Sequence, residues 1–173
     1  AAQKGHAVIG FARSLAGTRE AWTAYQEVAS ELCGRHLPLG ITSNGQTLNA
    51  MRMFHIAETY EEAVRDARPG INEFFETAVG LNPNWARNGM VGENEVLSDD
   101  DNNMDWFDFL EQYEMLLVGS PDFVAERIEK YQNEFNCQHL TLWPNPGFVP
   151  FQKVLKGIDL FAEKVISRFS SDQ

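Results

Sequence analysis

The sequence predicts an α/β fold, a portion of a barrel of parallel strands, on three observations. Short apolar runs alternate with longer segments whose apolar residues recur at helical spacing, the order expected of parallel strands joined by right-handed helical crossovers. Three such runs stand out, over residues 7–12, 52–57 and 139–143. A parallel sheet needs both faces covered, and three strands with helices on one side leave a face bare. The runs therefore read as part of a larger closed sheet.

The elements follow in order. Ala1-Ala2-Gln3-Lys4-Gly5 reads as the last turn of a helix closed by its glycine, so the chain is expected to open inside an element. Ala7-Val8-Ile9-Gly10-Phe11-Ala12 is too short for a helix and reads as a buried strand. From Thr18 to Cys33, apolar residues at Trp22, Tyr25, Val28, Ala29 and Leu32 give a one-faced helix, closed by Gly34. A polar loop through Pro38 and Asn44-Gly45 leads to the second strand, Arg52-Met53-Phe54-His55-Ile56-Ala57. Thr59-Tyr60-Glu61-Glu62 is a capping box that opens a helix. Pro69-Gly70 is expected to break that helix near Arg68, with resumption through Phe74, Phe75 and Ala78.

Residues 80–117 lose periodicity and carry the acidic run Ser98-Asp99-Asp100-Asp101-Asn102-Asn103. So long an irregular stretch in a compact domain reads as a lid-like insertion. The run fails as a calcium loop, because Met104 stands where the loop needs glycine and Leu110 where it needs the bidentate glutamate. It reads instead as a solvated loop capping a helix near Asp105.

Gly119-Ser120-Pro121-Asp122 is a strong helix start, with Ser at the cap, Pro at the first helical position and an acid in the first turn. That helix keeps Val124, Ile128, Tyr131 and Phe135 on one face. The third strand, His139-Leu140-Thr141-Leu142-Trp143, is followed by a loop, Pro144-Asn145-Pro146-Gly147. A closing helix from Phe151 to Phe169 is expected to bury Val154, Leu155, Ile158, Phe161, Val165 and Ile166. The whole chain, residues 1–173, then forms one partial-barrel domain.

Composition narrows the function. Fourteen Lys and Arg against 25 Asp and Glu leave a net charge of -11, which argues against nucleic-acid and anionic-membrane partners. No apolar run approaches the ~20 residues of a membrane span. Cys33 and Cys137 stand far apart without a CxxC pattern, so no disulfide framework or zinc site is indicated and a reducing, cytoplasmic setting is expected. No metal site is expected. No phosphate-binding glycine loop, nucleophile elbow or HExxH is present. Of the histidines, His55 and His139 fall in strands, where a structural hydrogen bond is the plainer role.

Position identifies candidates that motifs do not. In an α/β barrel the site lies where strands end and the next helices begin. Those junctions hold Arg13 and Ser14 after the first strand, and Glu58 after the second. Trp143 and Asn145 follow the third, and Ser120 starts a helix opening to the same side. Free amides at that helix start either cap the helix or hold an anion. Trp143 either stacks on a flat ligand ring or packs against the insertion.

The segment Val118-Gly119-Ser120-Pro121-Asp122-Phe123-Val124-Ala125-Glu126-Arg127-Ile128 resembles the luciferase-like flavin-dependent monooxygenase family, the bacterial luciferase superfamily. The strand after it and the ending Leu160-Phe161-Ala162-Glu163-Lys164-Val165-Ile166-Ser167-Arg168-Phe169 are similar to that family's C-terminus, and Ile56-Ala57-Glu58-Thr59-Tyr60-Glu61-Glu62-Ala63 resembles its strand-seven-to-helix junction. The resemblance implies the C-terminal part of an eight-stranded (β/α) TIM barrel, with residues 80–117 as the lid after strand seven. It implies an oxidoreductase that uses reduced FMN, or in some branches a deazaflavin coenzyme, with dioxygen to oxidise a small organic substrate. Strands one to five, which carry the family's flavin phosphate site, have no match here. No catalytic residue carries over, and the chain alone is expected to be inactive. The alternative is a non-catalytic half-barrel that binds flavin or another ligand, or a second copy of itself.

Assembly follows from the same geometry. A barrel cut before the first run has two open strand edges, and its inward side chains lose cover, with Ile9, Phe11, Phe54, Leu140 and Leu142 among the candidates. Each such burial is worth about 1.5–3 kcal/mol. The chain is therefore expected to self-associate, to meet a missing N-terminal half, or to fold residues 80–117 over the open face. A homodimer is the favoured outcome.

Overall fold

The computed structural model describes residues 1–80, 83–145, 147 and 149–169; residues 81 and 82 of the expected insertion and Pro146 of the expected loop lie outside the described residues. Four strands are observed, β1 (Ile9–Phe11), β2 (Asn49–Ile56), β3 (Leu116–Gly119) and β4 (Leu140–Trp143), and every pairing is parallel. The long helices α1 (Leu15–Cys33), α2 (Tyr60–Val79), α6 (Pro121–Phe135) and α7 (Phe151–Phe161) alternate with them. The opening residues form a single 3-10 turn, Ala2–Lys4, closed by Gly5 at φ 68.

β2 is the centre of the sheet. Ala50 and Met51 pair with both β1 and β4, and Met53 pairs with both Leu116 of β3 and Trp143 of β4. β1 and β3 therefore lie end to end along one side of β2, and β4 runs along the other. Among the described residues, the outer edges of β1 and β4 carry no strand.

The expected insertion is largely structured. It holds α3 (Pro83–Met90), α4 (Asp99–Asn103), α5 (Trp106–Gln112) and the first half of β3, a strand that its sequence pattern does not predict. The acidic run is α4 itself, with Ser98 and Asp101 closing a capping box, and Asp105 caps α5 through the Asp108 amide at 2.8 Å. Aperiodicity came from helices too short to show a period. Arg87, which is buried, ties them together by donating to the carbonyls of Asn102 and Met104 and lying over the Trp106 ring at 4.3 Å.

Both faces of the sheet are covered by the chain itself, in two separate cores. Met53, Leu116 and Val118 pack with Ala63, Ala67, Ile71 and Phe75 of α2 and with Trp106, Phe107, Phe109 and Leu110 of α5. Ala50, Phe54, Ile56 and Leu117 pack with Trp22 and Ala29 of α1, Val124, Tyr131 and Phe135 of α6, and Leu160 of α7. Part of the expected insertion, α5, joins α2 in covering the first of these faces. Phe54 is buried against Phe161, Phe11, Leu140 and Leu142 are half-buried, and Ile9 remains 61% exposed.

Two helices differ from expectation. α2 does not break at Pro69 but runs through it. Proline forfeits one helical hydrogen bond, yet Ile71 and Phe75 continue the buried face begun by Ala63 and Ala67, and that burial outweighs the loss. The closing helix buries Val154, Gly157, Leu160 and Val165, while Leu155, Ile158 and Ile166 are exposed. A π-helical stretch at Ala162–Ile166 separates α7 from the short α8 (Ser167–Phe169) and sets Val165, rather than Ile166, into the core.

Candidate functional site

The strand ends meet α2 at an aromatic wall. Trp143, the last residue of β4, packs on Phe11, the last residue of β1, at 5.7 Å, and on Phe74 of α2 at 5.1 Å with the rings 81° apart. Phe75 stacks on both Phe11 and Trp106, at 6.3 and 5.1 Å. Helical spacing puts Gly70, Glu73, Phe74, Thr77 and Ala78 on one stripe of α2. With Trp143, Asn145 and Gly147 of the loop after β4, that stripe encloses a mostly apolar cleft of about 330 Å³.

The cleft depends on two glycines. A Cβ on Gly70 would lie 1.8 Å from the Gly147 carbonyl oxygen, so only a bare backbone lets α2 and the loop approach so closely. Gly147 also has φ 105, a conformation other residues avoid, and its amide donates to Asn145 Oδ1 at 3.1 Å. The loop is thereby held against the helix with Trp143 at its root.

The structure gathers two of the six sequence candidates, Trp143 and Asn145, at this cleft. Arg13 and Ser14 belong to the start of α1 instead. Ser14 is fully buried as its cap, accepting from the Gly17 amide at 2.9 Å and bonded to Glu95. Arg13 folds back to the Gly17 carbonyl at 3.2 Å, while its own carbonyl accepts from the buried Arg52. Ser120 caps α6 through the Phe123 amide at 3.3 Å. Glu58 is exposed and paired with Lys164 at 3.1 Å, whose hydrogen bond and charge hold its carboxyl below the usual range. Sequence reasoning had not taken Gly70, Glu73 and Phe74 as site residues. Their signal was the helical spacing of residues 70, 73, 74, 77 and 78, which the expected break at Pro69-Gly70 concealed.

A second polar cluster sits at the end of β2. His55 is 2% exposed, and its Nε2 has no hydrogen-bond partner and lies 3.7 Å from Asp66 Oδ2. Lys153 of α7 donates to both Asp66 oxygens at 2.6 and 2.8 Å. Burial lowers the His55 pKa, and the nearby Asp66 carboxylate opposes that only in part, so the ring is neutral near pH 7. Lys153 thus bolts α7 to α2 across an uncharged histidine. Among the described residues no group of three or more His, Cys, Asp or Glu is placed to hold a metal ion, and no helix is long and apolar enough to cross a membrane.

No family model and no curated protein matches this chain. Solved structures do. The chain is similar to the monooxygenase RslO1 from Streptomyces bottropensis, at 22% identity and a TM-score of 0.64, over 98% of this chain and 44% of that one. It is similar to the type II Baeyer–Villiger monooxygenase that is the oxygenating constituent of 3,6-diketocamphane monooxygenase from the CAM plasmid of Pseudomonas putida, a structure in complex with FMN. There the identity is 22% and the TM-score 0.63, over 92% of this chain and 42% of that one. A third likeness is to the coenzyme F420 dependent tetrahydromethanopterin reductase from Methanopyrus kandleri, at 15% identity and a TM-score of 0.54, over 95% and 45% of the two chains. The chain spans less than half the length of each of these proteins. It therefore has an α/β fold, built on parallel strands, that it shares with part of the TIM barrel of these enzymes.

Proposed function

We propose that this chain is the C-terminal portion of a luciferase-like flavin-dependent monooxygenase, cytoplasmic, and that it supplies one wall of the pocket in which a small organic substrate is oxidised. The observation that carries this reading is the near-complete overlap of the chain with part of a monooxygenase, joined to a cleft at the strand ends, where such barrels keep their sites. Reduced FMN, or a deazaflavin, would supply the redox chemistry with dioxygen. The contribution of this chain is to orient the substrate against Trp143 and Phe74 and to exclude water, with the 80–117 segment in the part of the lid.

The cleft fits a flavin only in part. Its aromatic faces offer a surface to a flat ring, but the only charged side chain among the described lining residues is Glu73, so a flavin phosphate finds no partner there. The phosphate site then lies outside this chain. The alternative reading is a non-catalytic half-barrel that self-associates as a homodimer. It is favoured by the strand-free outer edges of β1 and β4 and by exposed Ile9, Phe151 and Leu155.

Titration of the chain with FMN and with lumiflavin, which lacks the phosphate, tests the reading. Equal and weak binding of the two is expected, with no oxygen consumption above the free-flavin background. Micromolar FMN affinity with substrate-dependent oxygen consumption would make the chain a complete enzyme and overturn it. Sedimentation at micromolar concentration tests the homodimer.

A further inference from the structure

We propose that the Trp143–Phe74 cleft binds an organic ammonium ion with an aromatic body, an aryl-alkyl ammonium. The proposal deepens the reading above, in which this cation would be the substrate, but the binding itself involves no flavin.

Three features of the cleft favour a cation. The Phe74 and Trp143 rings stand 81° apart at 5.1 Å, and both line the cleft. Aromatic faces carry the negative part of the ring quadrupole, so a ring face that lines the cleft attracts an ammonium group. Glu73 adjoins Phe74 on the same stripe of α2, is exposed, and makes no ion pair among the described residues. Its carboxylate is therefore available to a ligand. Thr77 adds a hydroxyl acceptor on the next turn of the same stripe.

The same features disfavour an anion. A carboxylate or phosphate in the cleft would face Glu73 with no lysine or arginine among the described lining residues to balance it. Of the remaining lining residues, Gly70, Ala78 and Gly147 leave room for an aromatic body of modest size, and Asn145 is the one polar side chain among them. The overall charge of -11 draws cations towards the whole surface, whereas the preference of the cleft itself resides in Glu73.

The test uses three probes of similar size and different charge: phenethylammonium, 2-phenylethanol and phenylacetate. Each is titrated at low ionic strength into the labelled chain while the Trp143 indole N–H is followed by NMR. The ammonium ion is expected to bind about tenfold more tightly than phenylacetate, with the alcohol between them. Glu73→Gln should bring all three within about twofold, because the charge that ranks them is gone. Glu126→Gln, an exposed change on α6 with the same effect on net charge, should leave the order intact. The proposal is overturned if phenylacetate binds as well as the cation, if the Trp143 signal does not respond to any probe, or if the preference survives Glu73→Gln or is lost in Glu126→Gln. Cation preference without any flavin-dependent turnover in the full system would sink the monooxygenase reading and leave this one standing.

Discussion

β3 and β4 are both four residues long and both pair in parallel with β2, yet every residue of β3 is buried and every residue of β4 is half-exposed. The difference lies in what covers them. β3 is enclosed between α2 and α5 on one face and α6 on the other, with Gly119 close against Phe123. Among the described residues both strands pair only with β2, but the last side chain of β4, Trp143, opens into the cleft. Buried cover makes β3 and the helices before it a store of stability. Partial cover leaves β4 free to meet a ligand or a partner.

The sharpest way to break this contrast is to empty one side of it. Phe109 of α5 is fully buried in the core beneath β3, and Phe109→Ala should cost about 3–5 kcal/mol in urea unfolding. Leu142→Ala on half-buried β4 should cost less than half as much. Equal losses would show that the two strands carry the same load.

A smaller effect is expected where the rim meets α2. Gly70→Ala places a methyl group on the Gly147 carbonyl, so helix and loop must separate at a cost of about 1–3 kcal/mol. The cleft should open, and probe binding at Trp143 should weaken with it. A variant of full stability that binds as before would mean the contact between the two glycines does not hold the cleft.

The smallest effect concerns pH, at the bolt between α7 and α2. Burial lowers the His55 pKa in the folded chain, whereas the unfolded chain takes up the proton at about pH 6.5. The stability that neutral His55 contributes is therefore complete above that pH and declines as pH falls through it towards the folded value. Urea midpoints of the wild type should drop between about pH 7 and 5 more steeply than those of His55→Gln. Parallel curves would place the pH dependence elsewhere.

Local structure was legible wherever a few neighbouring residues decide it. Ser120 with Pro121 and Asp122 starts α6 as read, Gly34 closes α1 at φ 65, and the Thr59 side chain caps α2 through the Glu62 amide at 3.1 Å. Three of the four strands and their parallel order were legible for the same reason, since apolar clustering is a property of adjacent residues. Contacts between residues distant in sequence were not. Ser14 stands at a strand end but is withdrawn as a buried cap because Glu95 and the Met90 carbonyl come to meet it from within the insertion. α2 passes Pro69 because the core beneath it holds Ile71 and Phe75, and the cleft exists because Gly147 returns to Gly70. Local patterning was enough for β1, β2 and β4, for α1 and α6, for the acidic character and for the place of Trp143 and Asn145 at the end of β4. That α5 covers the sheet, and which face of α2 lines the cleft, follow from the folded contacts alone, because burial energy is summed over contacts that no local pattern records.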